Sequence, residues 1–244
     1  MKSAALVSGI LFATGLAWAG DKSHWEYSGH AGPEHWGELS PEFSLCGSGR
    51  NQTPIDLDAM IEAELAPIEF RYQAAGHEVI NNGHTIQVNF DSGSGIAIDG
   101  RQFDLKQFHF HAPSENHIQG KSYALEGHLV HADKDGNLAV VAVMFEPGAA
   151  NEVIDQAWKV MPEKAGGKSA LGAKVSAEGL LPVQRDYYRF NGSLTTPPCS
   201  EGVRWLVMKE AMTASEAQIE QFAHVMHHPT NRPLQPLFAR PVLQ

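Results

Sequence analysis

The stretch Gln107-Phe108-His109-Phe110-His111 constrains this chain more than any other. Side chains alternate along an extended strand, so Gln107, His109 and His111 share one face while Phe108 and Phe110 share the other. Further on, Glu126-Gly127-His128-Leu129-Val130 places Glu126, His128 and Val130 on one face. The connection between the two is rich in Gly, Ser, Asn and Pro, which suits antiparallel pairing. Paired in that way, the two strands bring three imidazoles to a single point.

Three imidazoles from adjacent strands suit tetrahedral Zn²⁺, which takes ring nitrogens at about 2.0–2.1 Å. Three protein ligands leave a fourth position open, the mark of a catalytic rather than a structural zinc. The alternative is that one or more of these residues is an ordinary hydrogen-bonded strand histidine. Two features favour the metal. Aromatic residues fill the opposite face, as a buried strand requires, and Gln107 and Glu126 each lie one strand period from a histidine. An amide or carboxylate there can hold the second ring nitrogen and fix its tautomer.

A chain of 244 residues with 43% hydrophobic and 19% charged residues has enough material for one substantial core. Its formal charge of −10 comes without a basic cluster, which excludes the electrostatic footprint of a nucleic-acid or anionic-membrane partner. Residues 1–19 read as a signal peptide: Lys2 is the basic head, residues 4–16 are apolar, and Ala17-Trp18-Ala19 is a cleavage site before Gly20. A membrane anchor would need a longer apolar stretch and flanking charge, and no later segment approaches about 20 apolar residues. The expectation is an exported domain over 20–244, periplasmic or secreted. Cys46 and Cys199 are the only cysteines, so a disulfide fits that address, two buried thiols being the alternative. Such a bridge would close a loop of about 150 residues, worth on the order of 5 kcal/mol.

Residues 23–37 have no strand or helix period but carry Trp25, Tyr27 and Trp36, and read as an irregular arm packed over a sheet. Short alternating stretches fill 68–98, with Asn81-Asn82-Gly83 and Ser92-Gly93-Ser94-Gly95 as hairpin connections. The valine-rich run 138–145 suits a central strand, and 203–208 a further one. Helices are expected over 150–160 and 214–226, the latter capped by Thr213 or Ser215, and a loop over 164–179. These elements make a single mainly β (α+β) domain.

With the histidines placed, the chain resembles the α-class carbonic anhydrases of the exported bacterial kind. The resemblance rests on Gly32-Pro33-Glu34-His35-Trp36, Asn51-Gln52-Thr53-Pro54-Ile55, Asn81-Asn82-Gly83-His84, the three histidines, Ser193-Leu194-Thr195-Thr196-Pro197-Pro198 and Asn231-Arg232-Pro233-Leu234-Gln235-Pro236, in that order. It implies a large twisted, mostly antiparallel central sheet with a few short peripheral helices. It further implies Zn²⁺ on His109, His111 and His128, with Gln107 and Glu126 orienting His109 and His128. The implied activity is reversible hydration of CO₂ to bicarbonate by zinc-activated hydroxide. Thr195 would accept the hydroxide's hydrogen bond and donate its own to Glu115; an ionised carboxylate only accepts, so it forces that direction. Val130, Val141, Leu194, Thr196, Val203 and Trp205 would line the pocket for an uncharged substrate, though the apolar ones also read as plain core. His84 matches the proton shuttle, and Tyr27, Asn82 and Gln87 the positions that order intervening waters. His131 points away from His128 and takes no part.

The chain departs from the animal pattern at Ala112-Pro113, which replaces Trp-Gly, at Asn116 beside Glu115, and at Gln87, which replaces Asn. None of these is a ligand. Two alternatives remain from other classes: a catalytically silent binding module of the same fold, which would be expected to lack a zinc histidine, and an exported zinc carrier, which would hold histidines in flexible tracts.

Overall fold

The computed structural model describes residues 24–244, so the expected signal peptide lies outside the described residues. The domain is built on an eleven-stranded sheet. Its main path runs Lys168–Val175, Gly76–Asn81, Ile86–Phe90, Arg101–His111, Leu125–Ala132, Leu138–Pro147, Glu201–Met208, Tyr187–Ser193. Neighbours are antiparallel except where Leu138–Pro147 runs parallel to Glu201–Met208 and to Met212–Ala214. The two strands that carry the histidines therefore lie in the middle of the path, where both flanks are hydrogen-bonded and the backbone is held most firmly.

The valine-rich run is buried along nearly its whole length, as its continuous apolar character requires. One sheet face carries Phe108, Phe110, Leu129, Val141 and Phe145 into a core shared with Trp158 and Phe222. The other carries Val140, Ala142 and Met144 into a core with Phe190, Val203 and Trp205. His131 is fully buried on the first side, bonded to the Tyr72 hydroxyl at 2.8 Å and the Ala139 carbonyl at 3.2 Å. It faces away from the other histidines, as the strand period requires.

Both helices form. Asn151 caps Glu152–Trp158 by accepting from the amides of Val153 and Ile154. Ser215, not Thr213, caps Glu216–Met226 through a capping box with Gln218. The two are joined where the Trp158 indole donates to the Gln218 carbonyl at 3.0 Å. No helix among the described residues is long and apolar enough to cross a membrane.

Two local expectations fail. The 164–179 segment is not a loop: Lys168–Val175 is an edge strand on Gly76–Asn81, followed by a 3-10 turn at Ala177–Leu180. Its small residues carry no strand signal because an edge strand takes its structure from backbone pairing more than from its own propensity. Nor does Ser92–Gly95 make a hairpin. Ile86–Phe90 and Ser94–Ile98 lie end to end along the same flank of Arg101–His111. A side chain at Gly95 would come within 2.3 Å of the Phe103 carbonyl oxygen, so that glycine serves close backbone approach. The true hairpin turn is Asp99-Gly100, both with positive φ (50° and 70°), as a two-residue primed turn demands.

The arm packs as expected. Trp36 is fully buried, donates its indole N–H to the Glu26 and Ala31 carbonyls, and meets Trp25 and Tyr27 edge-on. Beneath it Cys46 and Cys199 form a disulfide with Cα atoms 5.1 Å apart. It ties the loop after Thr195 to a segment 153 residues away. Replacing both cysteines by alanine should lower the free energy of unfolding by about 2–5 kcal/mol in urea titrations; an unchanged midpoint would contradict a stabilising bridge.

Burial pushes the His131 imidazole down to about 4 from 6.5. The unfolded chain then binds one more proton between those values, so this group's contribution is complete above about 6.5 and is lost as pH falls towards 4. The loss should be on the order of 3 kcal/mol. Urea unfolding between pH 7 and 4 should show a shallower slope in His131→Phe than in the wild type; equal slopes would remove His131 from the acid response.

Candidate metal centre

The register of the two central strands sets the site. His109 lies directly opposite His128, Gln107 opposite Val130, and His111 opposite Glu126. The three rings stand 4.6–5.2 Å apart by centroid, and one nitrogen from each falls within 4.8 Å of the others.

Each ring has its other nitrogen occupied. His109 Nδ1 donates to Gln107 Oε1 at 2.8 Å, His111 Nδ1 to the Thr230 carbonyl at 2.6 Å, and His128 Nε2 to Glu126 Oε1 at 2.9 Å. Amide, carbonyl and carboxylate oxygens only accept, so each of these nitrogens carries the hydrogen. The lone pairs of His109 Nε2, His111 Nε2 and His128 Nδ1 are thereby left facing one another. Burial lowers the pKa of all three imidazoles, with mutual repulsion adding to the effect on His109 and His128. They are neutral, the form that ligates a metal. His111 Nε2 is buried with no hydrogen-bond partner, a costly position that a cation would satisfy. The residues therefore fit a metal ion.

Glu126 is fully buried and accepts four bonds: from the amides of Glu115 and Asn116, the Asn116 side chain, and His128. Asn116 thus supports the ligand orientation through Glu126, a role the sequence reading missed; its place three residues before a turn carried no signal. Glu115 is equally buried. Its Oε1 accepts from the Arg232 amide at 2.9 Å, and its Oε2 lies 3.5 Å from His111 Nε2 and 4.0 Å from His128 Nδ1. Burial raises its pKa well above the usual carboxylate range, opposed by the Arg232 amide and the Thr195 hydroxyl. Thr195 faces the carboxyl as a donor would, although Oε2 has no partner within hydrogen-bond distance.

Arg232 was legible only as part of a motif. Its guanidinium is buried and donates to Gln52 Oε1 and to the Thr53 and Cys46 carbonyls at 2.8–3.0 Å. One residue therefore connects the disulfide segment, the Gln52-Thr53 turn and Glu115.

Val130, Leu194, Val203 and Trp205 pack together, with the Trp205 ring 4.9 Å from His128. Val141 does not join them. It pairs with Leu129 and Leu206 and enters the opposite core, whereas Val140 stands between Val130 and Trp205. The expectation for Val141 fails by one residue, and in a two-residue period that moves a side chain to the other face.

Under the aromatic arm, the His84 ring stacks on Trp25 at 3.7 Å and 12°, and lies 6.4 Å from Tyr27. Burial, and then the charges of His24 and His228, lower its pKa to about 4. Asn82 Oδ1 accepts the His84 and Thr85 amides and holds the turn, and Gln87 donates to Asn89. Thr196 accepts the Cys199 amide through its carbonyl.

The three strand-borne histidines, each with its outer nitrogen engaged, form a group that could hold one metal ion beside the buried Thr195 and Glu115. Residues 31–244 match the model of the eukaryotic-type carbonic anhydrases. A carbonic anhydrase from Pectobacterium atrosepticum is 47% identical, over 100% of both chains, and one from Klebsiella pneumoniae is 49% identical over 91% of each. The solved structure of the α-carbonic anhydrase of Thermovibrio ammonificans, in complex with the inhibitor sulfanilamide, superposes with a TM-score of 0.90 at 51% identity, covering 91% of this chain and 99% of that one. The chain belongs to the eukaryotic-type, or α, carbonic anhydrase family. It is an enzyme of reversible CO₂ hydration, and neither the silent module nor the zinc carrier is favoured.

Glu126→Ala strands four buried donors (the His128 ring, the Glu115 and Asn116 amides and the Asn116 side chain), and at about 1–3 kcal/mol for each left unsatisfied should cost at least about 3 kcal/mol of stability. It should also weaken metal binding by about 10–100-fold in chelator competition. Unchanged affinity in a folded variant would show that the carboxylate does not set the ligand.

Proposed function

We propose that the metal is Zn²⁺, held by His109 Nε2, His111 Nε2 and His128 Nδ1. The observation that carries this is three neutral imidazoles whose outer nitrogens are all engaged and whose inner ones converge. Zn²⁺ held there would supply a water of lowered pKa, near 7 in carbonic anhydrases as a class. Gln107 and Glu126 fix the tautomers of His109 and His128. With the cation's charge and the Arg232 amide favouring its ionised form, Glu115 would oblige the Thr195 hydroxyl to donate to it, leaving a Thr195 lone pair to orient the reacting oxygen. Val130, Val140, Leu194, Val203 and Trp205, with Thr196 at the rim, give CO₂ an apolar surface that offers water few partners. His84 receives the released proton through waters ordered by Tyr27, Asn82 and Gln87. The leader composition and the disulfide support export to an oxidising compartment such as the periplasm.

Purified protein should contain one zinc per chain by elemental analysis and hydrate CO₂ in stopped-flow assays, and His109→Ala should lose both. Zinc without hydration would favour a carrier, and no zinc at all a silent module. Thr195→Ala should retain zinc and lower kcat about 10²–10³-fold, the usual cost of removing one orienting hydrogen bond. Loss of zinc along with activity would contradict the role given to Thr195.

A further inference from the structure

Beside Tyr27 lies a second imidazole that the family-matched residues do not use. Tyr27 stands between two histidine rings at similar distances, His84 at 6.4 Å and His228 at 5.9 Å. Its hydroxyl is buried without a hydrogen-bond partner, and Glu115, which lies beside His111 and His128, is near enough for its charge to act on it. Tyr27 and His228 line one cavity of about 540 Å³, together with Glu34 and Asn231. Water entering that cavity meets the His228 ring directly, because His228 is exposed while His84 is half-covered by Trp25.

The orientation of His228 is set by its own backbone. Nδ1 lies 2.9 Å from the Pro229 carbonyl oxygen, which can only accept, so Nδ1 carries the hydrogen in the neutral ring. The free lone pair is then on Nε2, the atom a proton acceptor needs. Histidine is the side chain whose ordinary range allows such exchange near neutral pH. His84 is in a poorer position. A group at about 4 taking a proton from one near 7 does so against a roughly thousand-fold equilibrium. The charged and titratable neighbours here are His24 and Glu26 on the arm, Glu34 in the cavity and Glu115 behind Tyr27.

We propose that His228 is a second proton acceptor, taking the proton released in CO₂ hydration onto Nε2 through water beneath Tyr27, in parallel with His84, a role that rests on the hydration reading above. The proton passes from reacting water to Nε2, and from the other side of the ring to buffer, so no further reactant is required.

The test compares wild type, His84→Ala, His228→Ala and the double variant, zinc-loaded, by stopped flow in weak buffer. His84→Ala should retain substantial kcat, and the double variant should fall at least about tenfold below it, with kcat/KM for CO₂ unchanged and kcat restored by millimolar imidazole. A double variant equal to His84→Ala would overturn the proposal, as would a parallel fall in kcat/KM, which marks structural damage. Imidazole proton NMR gives a readout apart from turnover: the His84 midpoint should rise in His228→Ala, since the His228 charge depresses it. A midpoint that stays fixed would show that the rings are not coupled, and would also overturn it. Absence of hydration in the wild type would instead sink the parent reading, leaving the NMR result to judge whether the two rings act together.

Discussion

The hydrogen-bonded register between Arg101–His111 and Leu125–Ala132 is the constraint on which the rest depends. It places His109 opposite His128 and His111 opposite Glu126, so one alignment brings together the proposed ligands and a carboxylate that orients His128. A slip of one residue would send the imidazoles into the aromatic core and Phe108 and Phe110 into the site. Phe108 and Phe110 oppose that slip, because both are fully buried in the far core and would lose that burial.

Around the register is a second layer of buried polar groups, each expensive alone and tolerable together. Glu126 collects three donors from Glu115 and Asn116 and a fourth from His128, and Glu115 is held from the far side by the Arg232 amide. Arg232 in turn reaches the carbonyls of Thr53 and Cys46. The disulfide joins that segment to the loop after Thr195. The two groups assigned to orient the reacting oxygen, Thr195 and Glu115, are therefore fixed by contacts that are distant in sequence and adjacent in space.

Features with a short period were legible in the chain. The alternation around His109 announced the histidine face, the valine run announced a central strand, and the 214–226 stretch with Thr213 or Ser215 at its start announced a helix. Features that depend on long-range contact were not. Nothing in 168–175 signals a strand, because the Gly76–Asn81 neighbour supplies the reason to extend. Asn116 and Arg232 look like loop residues until Glu126 and Glu115 are beside them. Val141 shows how sharp the limit is, since family matching placed it within one position and the pleat allowed no such tolerance. The motifs around Thr195 and Asn231 gave the identity of the site while the cross-links that hold it came only from the fold.

The most direct test is X-ray absorption at the zinc edge on the loaded protein at neutral pH. The account predicts a first shell of three imidazole nitrogens and one further light atom at about 2.0–2.1 Å, with no sulfur. A six-oxygen shell, or fewer than three imidazoles, would contradict it.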